Sequence, residues 1–307
     1  MTRVAVLGAS GMLGSMLLDV LSADGAWDVA GTVRSSELAA ACRARIPDAE
    51  WRVFDVGEDD ASLRQSLRGA DWVVNAIGLT KPHIHDDEPA EVEAAIGVNA
   101  AFPFRLAREA AAVDARVLQI VTDCVYSGSS GRYVESSPHD ALDVYGKTKS
   151  LGEPRLPNVH LLRCSIIGPE PKTNAFLLEW LRGQPANARV SGYVDHLWNG
   201  VTTLTFARLC AGLVGGADVP ADLQHVIPAA DVTKADLVAD IARAYGRHDI
   251  TIERVSAPSP VDRTLRTEHP DALGALWTAA GYTAPPSVPE MVAELATHPY
   301  RLAGLSP

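Results

Sequence analysis

The sequence has few cysteines, a shortage of basic residues and no long apolar run. The 27 Lys and Arg residues face 38 Asp and Glu residues, a net charge of −11 that argues against a nucleic-acid or membrane-surface binder. No stretch reaches the roughly 18 apolar residues that a membrane helix needs, and the apolar run at residues 4–7 is too short for a signal peptide. The four cysteines are far apart and form no C-x-x-C pair: Cys42, Cys124, Cys164 and Cys210. We therefore expect no disulfide framework, no metal site and a cytoplasmic location.

The length and composition suit a globular protein with a full hydrophobic core. The chain has 307 residues, of which 47% are apolar and 21% charged. This length allows one large domain or two smaller ones, and it needs no disulfides or metals for stability.

The first half alternates apolar strand-like runs with segments of helical periodicity. Strands are predicted at residues 3–7, 27–33, 51–54, 72–76 and 117–121, and helices at 12–23, 37–45, 61–67 and 89–112. Near-continuous apolar strands separated by helices predict an α/β fold, a doubly wound parallel sheet of the Rossmann type. Ligands bind such sheets at the carboxyl ends of the strands.

The pattern becomes irregular after about residue 165. A strand is predicted at 159–163, and helices at 175–182, 203–214, 234–245 and 271–280; the tail beyond is proline-rich, and no helix is predicted there. We therefore expect a dinucleotide-binding domain at residues 1–167, which also takes in about 200–228. The remainder of 168–307 is expected to form a smaller substrate-binding domain.

A glycine-rich turn lies between the first strand and the first helix. Gly8, Gly11 and Gly14 form the pattern G-x-x-G-x-x-G. Such glycines permit a tight turn, a close approach of the backbone to a pyrophosphate at the helix N-terminus, and close packing of helix and strand. The alternative is an ordinary turn, but the strand–turn–helix context favours dinucleotide binding. The expected contacts are Gly8, Ser10, Gly11, Met12, Leu13 and Gly14.

The end of the second strand indicates which dinucleotide binds. No acidic residue precedes Glu37 there, whereas an NAD enzyme commonly has one for the ribose hydroxyls. Arg34 instead suits a 2′-phosphate, although it could be a solvated surface arginine. NADPH is therefore favoured as the cofactor, with NADH as the alternative.

Three residues in the order Thr, Tyr, Lys suggest carbonyl chemistry. Tyr145 and Lys149 are four residues apart, which places them on one face of a helix. A nearby ammonium lowers the pKa of a tyrosine, which could then transfer a proton. Thr122, at the end of the fifth strand, could hydrogen-bond a substrate oxygen. A Tyr–Lys pair by itself is common on solvated helix faces, and the order of the segments is the stronger signal.

Together these segments resemble the extended short-chain dehydrogenase/reductase family, and within it the dTDP-4-dehydrorhamnose reductase-like sugar-nucleotide reductases. The resemblance covers nearly the whole chain and is strongest at residues 1–165. The matching positions are Gly8, Gly11, Gly14, Asp55, 75–78, Asn99, Thr122, Asp123, 144–149, Gly152 and Glu153.

The resemblance implies a role for each matching position. Tyr145 would give a proton to the carbonyl oxygen, Lys149 would bind the nicotinamide ribose and lower the pKa of Tyr145, and Thr122 would hold the carbonyl. Further cofactor contacts are implied for Asp55 and Val56 beside the adenine, and for Ala76, Ile77, Gly78 and Asn99. The family also often pairs helices 89–112 and 144–153 across a two-fold axis. Pro154 and Pro157 shorten the second of these helices, so we expect a monomer or a homodimer.

One position separates reductases from the related dehydratases. Those enzymes carry Thr-Asp-Glu, whose two carboxyl groups remove water, whereas this chain has Cys124 in the third position. The missing glutamate favours a reductase. Cys124 also departs from the aromatic residue that often follows Thr-Asp in the closest reductases.

Substrate contacts are expected mainly from the less regular segments. Residues 81–88 contain two His and several carboxylates, and they could form a metal site, a solvated loop that caps the next helix, or a lid over the substrate. Asn174 is either a substrate contact or a helix cap. Trp198 could stack on a base or only fill the seam between the domains. The residues predicted to contact substrate are Lys81, Thr122, Asp123, Cys124, Asn174 and Trp198. The other histidines are assigned no role.

The sequence thus predicts an NADPH-dependent reductase of a keto group on a nucleotide-activated sugar, such as a dTDP-4-keto-6-deoxyhexose. The first alternative is a redox-neutral epimerase or dehydratase with a bound cofactor. The second is a non-catalytic dinucleotide sensor or regulatory subunit. The expected partner is a nucleotide-sugar substrate, with no nucleic acid and no membrane.

Overall fold

A seven-stranded parallel sheet forms the centre of the computed structural model, which describes residues 1–23, 25–171, 176–217 and 222–304. Its strands are β1 (Thr2–Leu7), β2 (Trp27–Val33), β3 (Glu50–Val53), β4 (Trp72–Asn75), β5 (Arg116–Thr122), β6 (Val159–Cys164) and, after four strands that belong to smaller sheets, β11 (Leu223–His225). Their order across the sheet is β11-β6-β5-β4-β1-β2-β3. The order reverses between β1 and β4, and the crevice outside their carboxyl ends is where such sheets bind ligands. The predicted fold class is confirmed.

Both faces of the sheet are covered by helices. The helices of the described chain are α1 (Met12–Ala23), α2 (Ser36–Arg45), α3 (Asp60–Ser66), α4 (Pro89–Ala95), α5 (Phe102–Ala111), α6 (Val144–Leu151), α7 (Leu177–Arg182), α8 (Thr203–Val214), α9 (Lys234–Ala244), α10 (Pro270–Ala279) and α11 (Val288–Thr297). In β1, Val4 and Val6 pack with α1, α2 and α8, whereas Ala5 and Leu7 pack with α3 and α5. Because both sets are fully buried, the strand is apolar throughout rather than alternating.

The predicted helix at 89–112 is continuous, but its hydrogen-bonding pattern changes from α to π and back to α. Between α4 and α5, residues Ile96–Ala101 form a π-helical segment. Asn99 lies in this segment, and its side chain is buried. Short π-helical segments of this kind frequently occur at functional sites, because they redirect a side chain.

The second half of the chain forms three small sheets besides the elements that join the main sheet. Its remaining strands are β7 (Ile166–Ile167), β8 (Arg189–Tyr193), β9 (His196–Trp198), β10 (Val201–Thr202), β12 (Val232–Thr233), β13 (Thr251–Val255) and β14 (Val261–Asp262). They pair as β10-β7, β12-β9-β14 and β13-β8. The segment that contains α8 and β11 belongs with the main sheet, because α8 packs on α1 and β11 pairs with β6.

The proline-rich tail contains a helix that the sequence analysis missed. Pro289 lies in the first turn of α11, where its missing N–H costs no hydrogen bond. Ser287 and Glu290 form a reciprocal capping box at the start of the helix. The short strands of the second half were also missed, whereas α8 has the predicted bounds.

Beyond α11 the chain returns to the first helix. His298 and Arg301 both contact the carboxylate of Asp19, and the hydroxyl of Tyr300 lies 2.5 Å from that of Ser15. Asp19 is buried in α1. The end of the described chain is therefore fastened to the helix that follows the glycine-rich turn.

Candidate active site

The glycine-rich turn has the geometry expected of a phosphate-binding loop. Gly8 has a φ of 75°, a left-handed conformation that favours glycine, and its N–H donates to the hydroxyl of Thr32 at 3.2 Å. A Cβ on Gly14 would collide with the carbonyl group of Gly8. The first turn of α1 contains no acidic residue, so nothing there opposes an anion at the helix N-terminus. The turn therefore fits the pyrophosphate of a dinucleotide.

The ends of β2 and β3 lie side by side next to this turn. Val33 pairs with Val53, so Arg34 and Asp55 follow at the same edge of the sheet. Arg34 is exposed, while the carboxylate of Asp55 accepts the N–H of Gly57 at 2.9 Å. Val56 comes next in this turn. The positions suit the adenosine end of a cofactor, and the proposed contacts of these residues stay predictions.

The segment after β4 is held against the glycine-rich turn. Ala76, Ile77 and Gly78 lie here, and a Cβ on Gly8 would be only 3.0 Å from Ile77 and 3.2 Å from the carbonyl oxygen of Ala76. Asn99 stabilises the next residue, since its side chain accepts the N–H of Leu79 at 2.9 Å and donates to its carbonyl at 3.0 Å. Asn99 is 2% exposed, so its first role is to shape this wall of the crevice.

Thr122 and Tyr145 come together at the end of β5. Asp143 caps α6 by accepting the N–H of Gly146 at 2.8 Å, and the helix then presents Tyr145 and Lys149 from successive turns. The hydroxyls of Thr122 and Tyr145 are hydrogen-bonded. The ammonium of Lys149 donates to the carbonyl oxygen of Ile120, two residues before Thr122, at 3.3 Å. The structure therefore assembles the three residues that the sequence predicted to work together.

The electrostatics differ from the sequence prediction for Tyr145. Burial raises the pKa of Tyr145 well above its usual range, nearby Cys124 and Asp123 add to the increase, and the hydrogen bond with Thr122 opposes it. The pKa of Tyr145 is thus raised rather than lowered as expected from the sequence, and the effect of Lys149 on this pKa stays a prediction. Burial lowers the pKa of Lys149 to about 8, and the carboxylate of Glu153, one turn further along, acts in the opposite direction. Tyr145 is consequently a protonated phenol at neutral pH.

Asp123 and Cys124 lie directly beside this pair. Burial raises the pKa of the Asp123 carboxyl, while Arg263 and Lys234 act against the increase. Burial and the neighbouring Asp123 raise the pKa of the Cys124 thiol to about 12. A thiol in this state is no nucleophile at neutral pH. Cys124 is therefore a neutral polar wall of the site, in the position where the dehydratases have their glutamate.

The loop at residues 81–88 contacts the start of α6. The ammonium of Lys81 lies 2.7 Å from the carboxylate of Asp143, and the carboxylate of Asp86 accepts the N–H of Val144 at 3.2 Å. His85 bonds instead to Glu91, 2.7 Å away in α4. The loop thus supports the start of α6. Over the residues that the structure describes, no group of three or more His, Cys, Asp or Glu side chains could hold a metal ion.

Two cations from the second half were missed by the sequence analysis. Lys234 begins α9, and Arg263 follows β14. Both lie close enough to Asp123 and Cys124 to affect their pKa values or to be affected by them. The chain has only five lysines, so their rarity was a usable signal for Lys234. Nothing local in the sequence singled out Arg263.

The two predicted contacts in the second half have different outcomes. Trp198 is 5% exposed, and its indole N–H donates to the hydroxyl of Ser165 at 2.8 Å, which fits the packing role better than stacking on a base. Asn174 lies outside the described residues. In the same region, the side chain of Asn199 is buried and bonds to the backbone of Leu265 in both directions.

A buried cluster of polar side chains lies behind the catalytic helix. Arg163 is fully buried and donates to Glu153 at 2.6 Å, to the Tyr126 hydroxyl at 2.6 Å, to His139 at 2.8 Å and to His225 at 3.0 Å. Burial, helped by the guanidinium, lowers the pKa of His225 to about 4, so its ring stays neutral and accepts the N–H. Two of the histidines to which the sequence assigned no role, His139 and His225, thus help to connect β6, α6 and β11.

None of the helices in the described part of the chain combines the length and apolar character required to cross a bilayer.

The fold and the site together define a doubly wound dinucleotide-binding protein with a Thr-Tyr-Lys constellation of the short-chain dehydrogenase/reductase type. A family model described as the RmlD substrate binding domain matches residues 2–297. The chain therefore belongs to that family.

A characterised relative and two solved structures illustrate the similarity. The chain is 32% identical over 157 residues to the dTDP-4-dehydrorhamnose reductase of Mycolicibacterium smegmatis, an alignment that covers 49% of this chain and 40% of the relative. The match thus spans less than half the length of that relative.

The solved structures show the fold alone, because their identities are low. The NADP complex of dTDP-4-dehydrorhamnose reductase from Bacillus anthracis has a TM-score of 0.70 and 16% identity, covering 96% of this chain and 98% of that one. UDP-glucuronic acid 4-epimerase from Bacillus cereus, with UDP-glucuronic acid and NAD, has a TM-score of 0.72 and 15% identity, with the same coverage.

Proposed function

We propose that the chain is an NADPH-dependent reductase of deoxysugar biosynthesis, acting on a keto group of a nucleotide-activated sugar such as a dTDP-4-keto-6-deoxyhexose. The observation that carries the proposal is the meeting of Thr122, Tyr145 and Lys149 at the carboxyl end of β5, in the same crevice as the glycine-rich turn. The M. smegmatis relative is a dTDP-4-dehydrorhamnose reductase, which supports the choice of sugar.

The chain's own groups would hold the carbonyl and supply the proton. NADPH, when bound, supplies the hydride. Thr122 and Tyr145 present two hydroxyls to one carbonyl oxygen, which polarises it and fixes its position. Because the pKa of Tyr145 is raised, the phenol keeps its proton until negative charge develops on that oxygen. Lys149 is held at the Ile120 carbonyl, where its remaining donors can bind the ribose hydroxyls of the cofactor.

NADPH is proposed as the cofactor because of Arg34. The guanidinium is exposed at the end of β2, where it can form paired hydrogen bonds with a 2′-phosphate. The NADP in the B. anthracis structure supports the same choice. NADH remains the alternative cofactor, and the comparison of turnover with NADPH and NADH must exclude it.

The site argues against the two rival functions. Cys124 is a neutral thiol where a dehydratase needs a carboxylate base. The epimerase fold match does not separate the two reactions, since both use the same scaffold. A regulatory subunit would have no need for the assembled Thr, Tyr and Lys.

We also propose a division of labour within the chain. Residues 1–167, joined by about 200–228, would bind the dinucleotide, because α8 and β11 extend the layers of the main sheet. The rest of 168–307 would bind the sugar nucleotide. The oligomeric state is proposed to be a monomer or a homodimer through the helical segments at 89–112 and 144–153.

The proposed function is tested by NADPH oxidation against a panel of keto-sugar nucleotides that differ in nucleotide and in sugar. We expect turnover with at least one dTDP-linked 4-keto-6-deoxyhexose, and slower turnover with NADH. A protein that binds NADPH yet oxidises it with no member of the panel would contradict the proposal.

A further inference from the structure

Three cations surround the Thr122–Cys124 segment, and they differ in their partners. Lys81 is paired with the Asp143 carboxylate at 2.7 Å. Arg263 donates to the carbonyl oxygens of Tyr126 at 2.8 Å and Ser127 at 3.2 Å. Within the described ranges, by contrast, the Lys234 ammonium has no hydrogen-bond acceptor. Its three donors are therefore available for a ligand.

The position of Lys234 is unfavourable for a cation. It is the first residue of α9, directly after the cap Thr233, and the positive end of a helix dipole repels an ammonium. Its Nζ lies 5.9 Å from the centre of the Trp198 ring, a long cation–π contact that offsets only part of this repulsion. Burial lowers its pKa, and the nearby Asp123 carboxylate acts in the opposite direction. A charged group retained at such a place has a function more often than a charged group on the surface does.

The neighbours of Lys234 indicate what it would contact. Asp123 follows Thr122, the residue that holds the carbonyl, so the ammonium lies near the reacting sugar. A diphosphate at the same spot would be repelled by the Asp123 carboxylate, whereas a sugar hydroxyl can accept from the ammonium and donate to the carboxylate.

We propose that Lys234 is a substrate-binding residue that donates a hydrogen bond to a sugar oxygen beside the keto carbon, where the nearby Asp123 carboxylate can accept from a hydroxyl of the same sugar. This inference rests on the proposed function. It makes the second half of the chain a direct contributor to sugar selectivity, through a side chain that touches substrate but takes no part in hydride or proton transfer.

The test is titration calorimetry on protein saturated with NADP⁺, using two probes. The first is dTDP-rhamnose, the alcohol formed when dTDP-4-dehydrorhamnose is reduced, and the second is dTDP. In Lys234→Met we expect the affinity for dTDP-rhamnose to fall tenfold or more, and that for dTDP to change less than twofold. Lys147→Met, which removes an exposed lysine from α6, is the matched control and should change neither affinity.

The other outcomes each have a definite meaning. Equal weakening of both probes would place the ammonium at the diphosphate, and unchanged binding of dTDP-rhamnose would make Lys234 structural; either result overturns the inference. If Lys234→Met does not fold, Lys234→Gln is used instead, and the same changes in affinity are expected with a smaller magnitude. Failure of the wild type to bind dTDP-rhamnose would instead contradict the proposed function, and the Lys234 assignment with it.

Discussion

The two halves of the chain contribute to the crevice in different ways. The first half supplies groups that are fixed by the ends of main-sheet strands and by one capped helix, such as Thr122 and Tyr145. The second half supplies long cationic side chains, Lys234 and Arg263, which reach in from its smaller sheets and helices. The comparison suggests that the reaction depends on the first half, while recognition of the sugar depends on the second. The following variants are designed to break or sharpen this division.

The largest effect is expected for the hydroxyl of Tyr145. Tyr145→Phe keeps the ring but removes the proton donor, so turnover should fall about 10²-fold or more, with NADPH binding retained. Tyr245→Phe, at the end of α9 in the second half, is the matched control and should keep nearly the wild-type rate. Steady-state kinetics and fluorescence titration of NADPH measure the two quantities. Equal rates for the wild type and Tyr145→Phe would remove the tyrosine from the mechanism.

Glycines in the two halves should respond oppositely to alanine. In Gly14→Ala the new methyl group meets the Gly8 carbonyl, so we expect a loss of about 1–3 kcal/mol in stability together with weaker NADPH binding. In Gly274→Ala, inside α10, the methyl group meets nothing within 4 Å, and stability should rise by about 0.5–1 kcal/mol. Urea unfolding of both variants measures this. A neutral Gly14→Ala would mean that the turn is not tightly packed.

Arg34 should affect only the choice of cofactor. Arg34→Ala removes the proposed partner of the 2′-phosphate, so the Kd for NADPH should rise about tenfold, as expected for a charge-assisted hydrogen bond, while that for NADH stays the same. The comparison of both cofactors in one variant serves as its own control. If both constants change equally, Arg34 has a general structural effect.

The last effect is a pH dependence of stability that depends on Lys149. The pKa of Lys149 is about 8 in the folded chain, whereas its ordinary value, which applies to the unfolded chain, is 10.5. Between these pH values the unfolded chain therefore binds more protons than the folded chain. Stability without cofactor should therefore rise with pH across this window through Lys149, and Lys149→Met should lose that part of the slope. Unfolding free energies at pH 7.5 and 9.5 measure it. Parallel slopes for the two proteins would show that Lys149 is not buried as described.

The difference between the two halves also explains which strands and helices could be predicted from the sequence. Six of the seven main-sheet strands were predictable because they lie in largely apolar runs that end at a helix or a turn, as for Trp27–Val33. The seventh, β11, was missed because it has only three residues, of which two are polar. The strands β8 and β13 were not, since they have five residues each and pair only with one another across the chain. The helix α11 was hidden by its prolines, although Ser287 and Glu290 carried a readable capping signal.

The residues of the candidate site also differ in how far the sequence could predict them. Gly8, Thr122, Tyr145 and Lys149 could be predicted because motif spacing and strand ends locate them. The raised pKa of Tyr145 could not be predicted, because burial depends on the packing of the whole crevice. Lys234 was missed for a related reason, since its approach to Asp123 is produced by tertiary contacts between distant segments.

The central claim is hydride transfer to a sugar ketone, and isotope transfer tests it most directly. The protein is incubated with dTDP-4-dehydrorhamnose and NADPH that carries deuterium on the transferred face of the nicotinamide, and the sugar is analysed by mass spectrometry and NMR. The account predicts one deuterium at the former keto carbon for each NADPH oxidised. A sugar product that forms with no deuterium and no net oxidation of NADPH would contradict it and indicate a redox-neutral reaction.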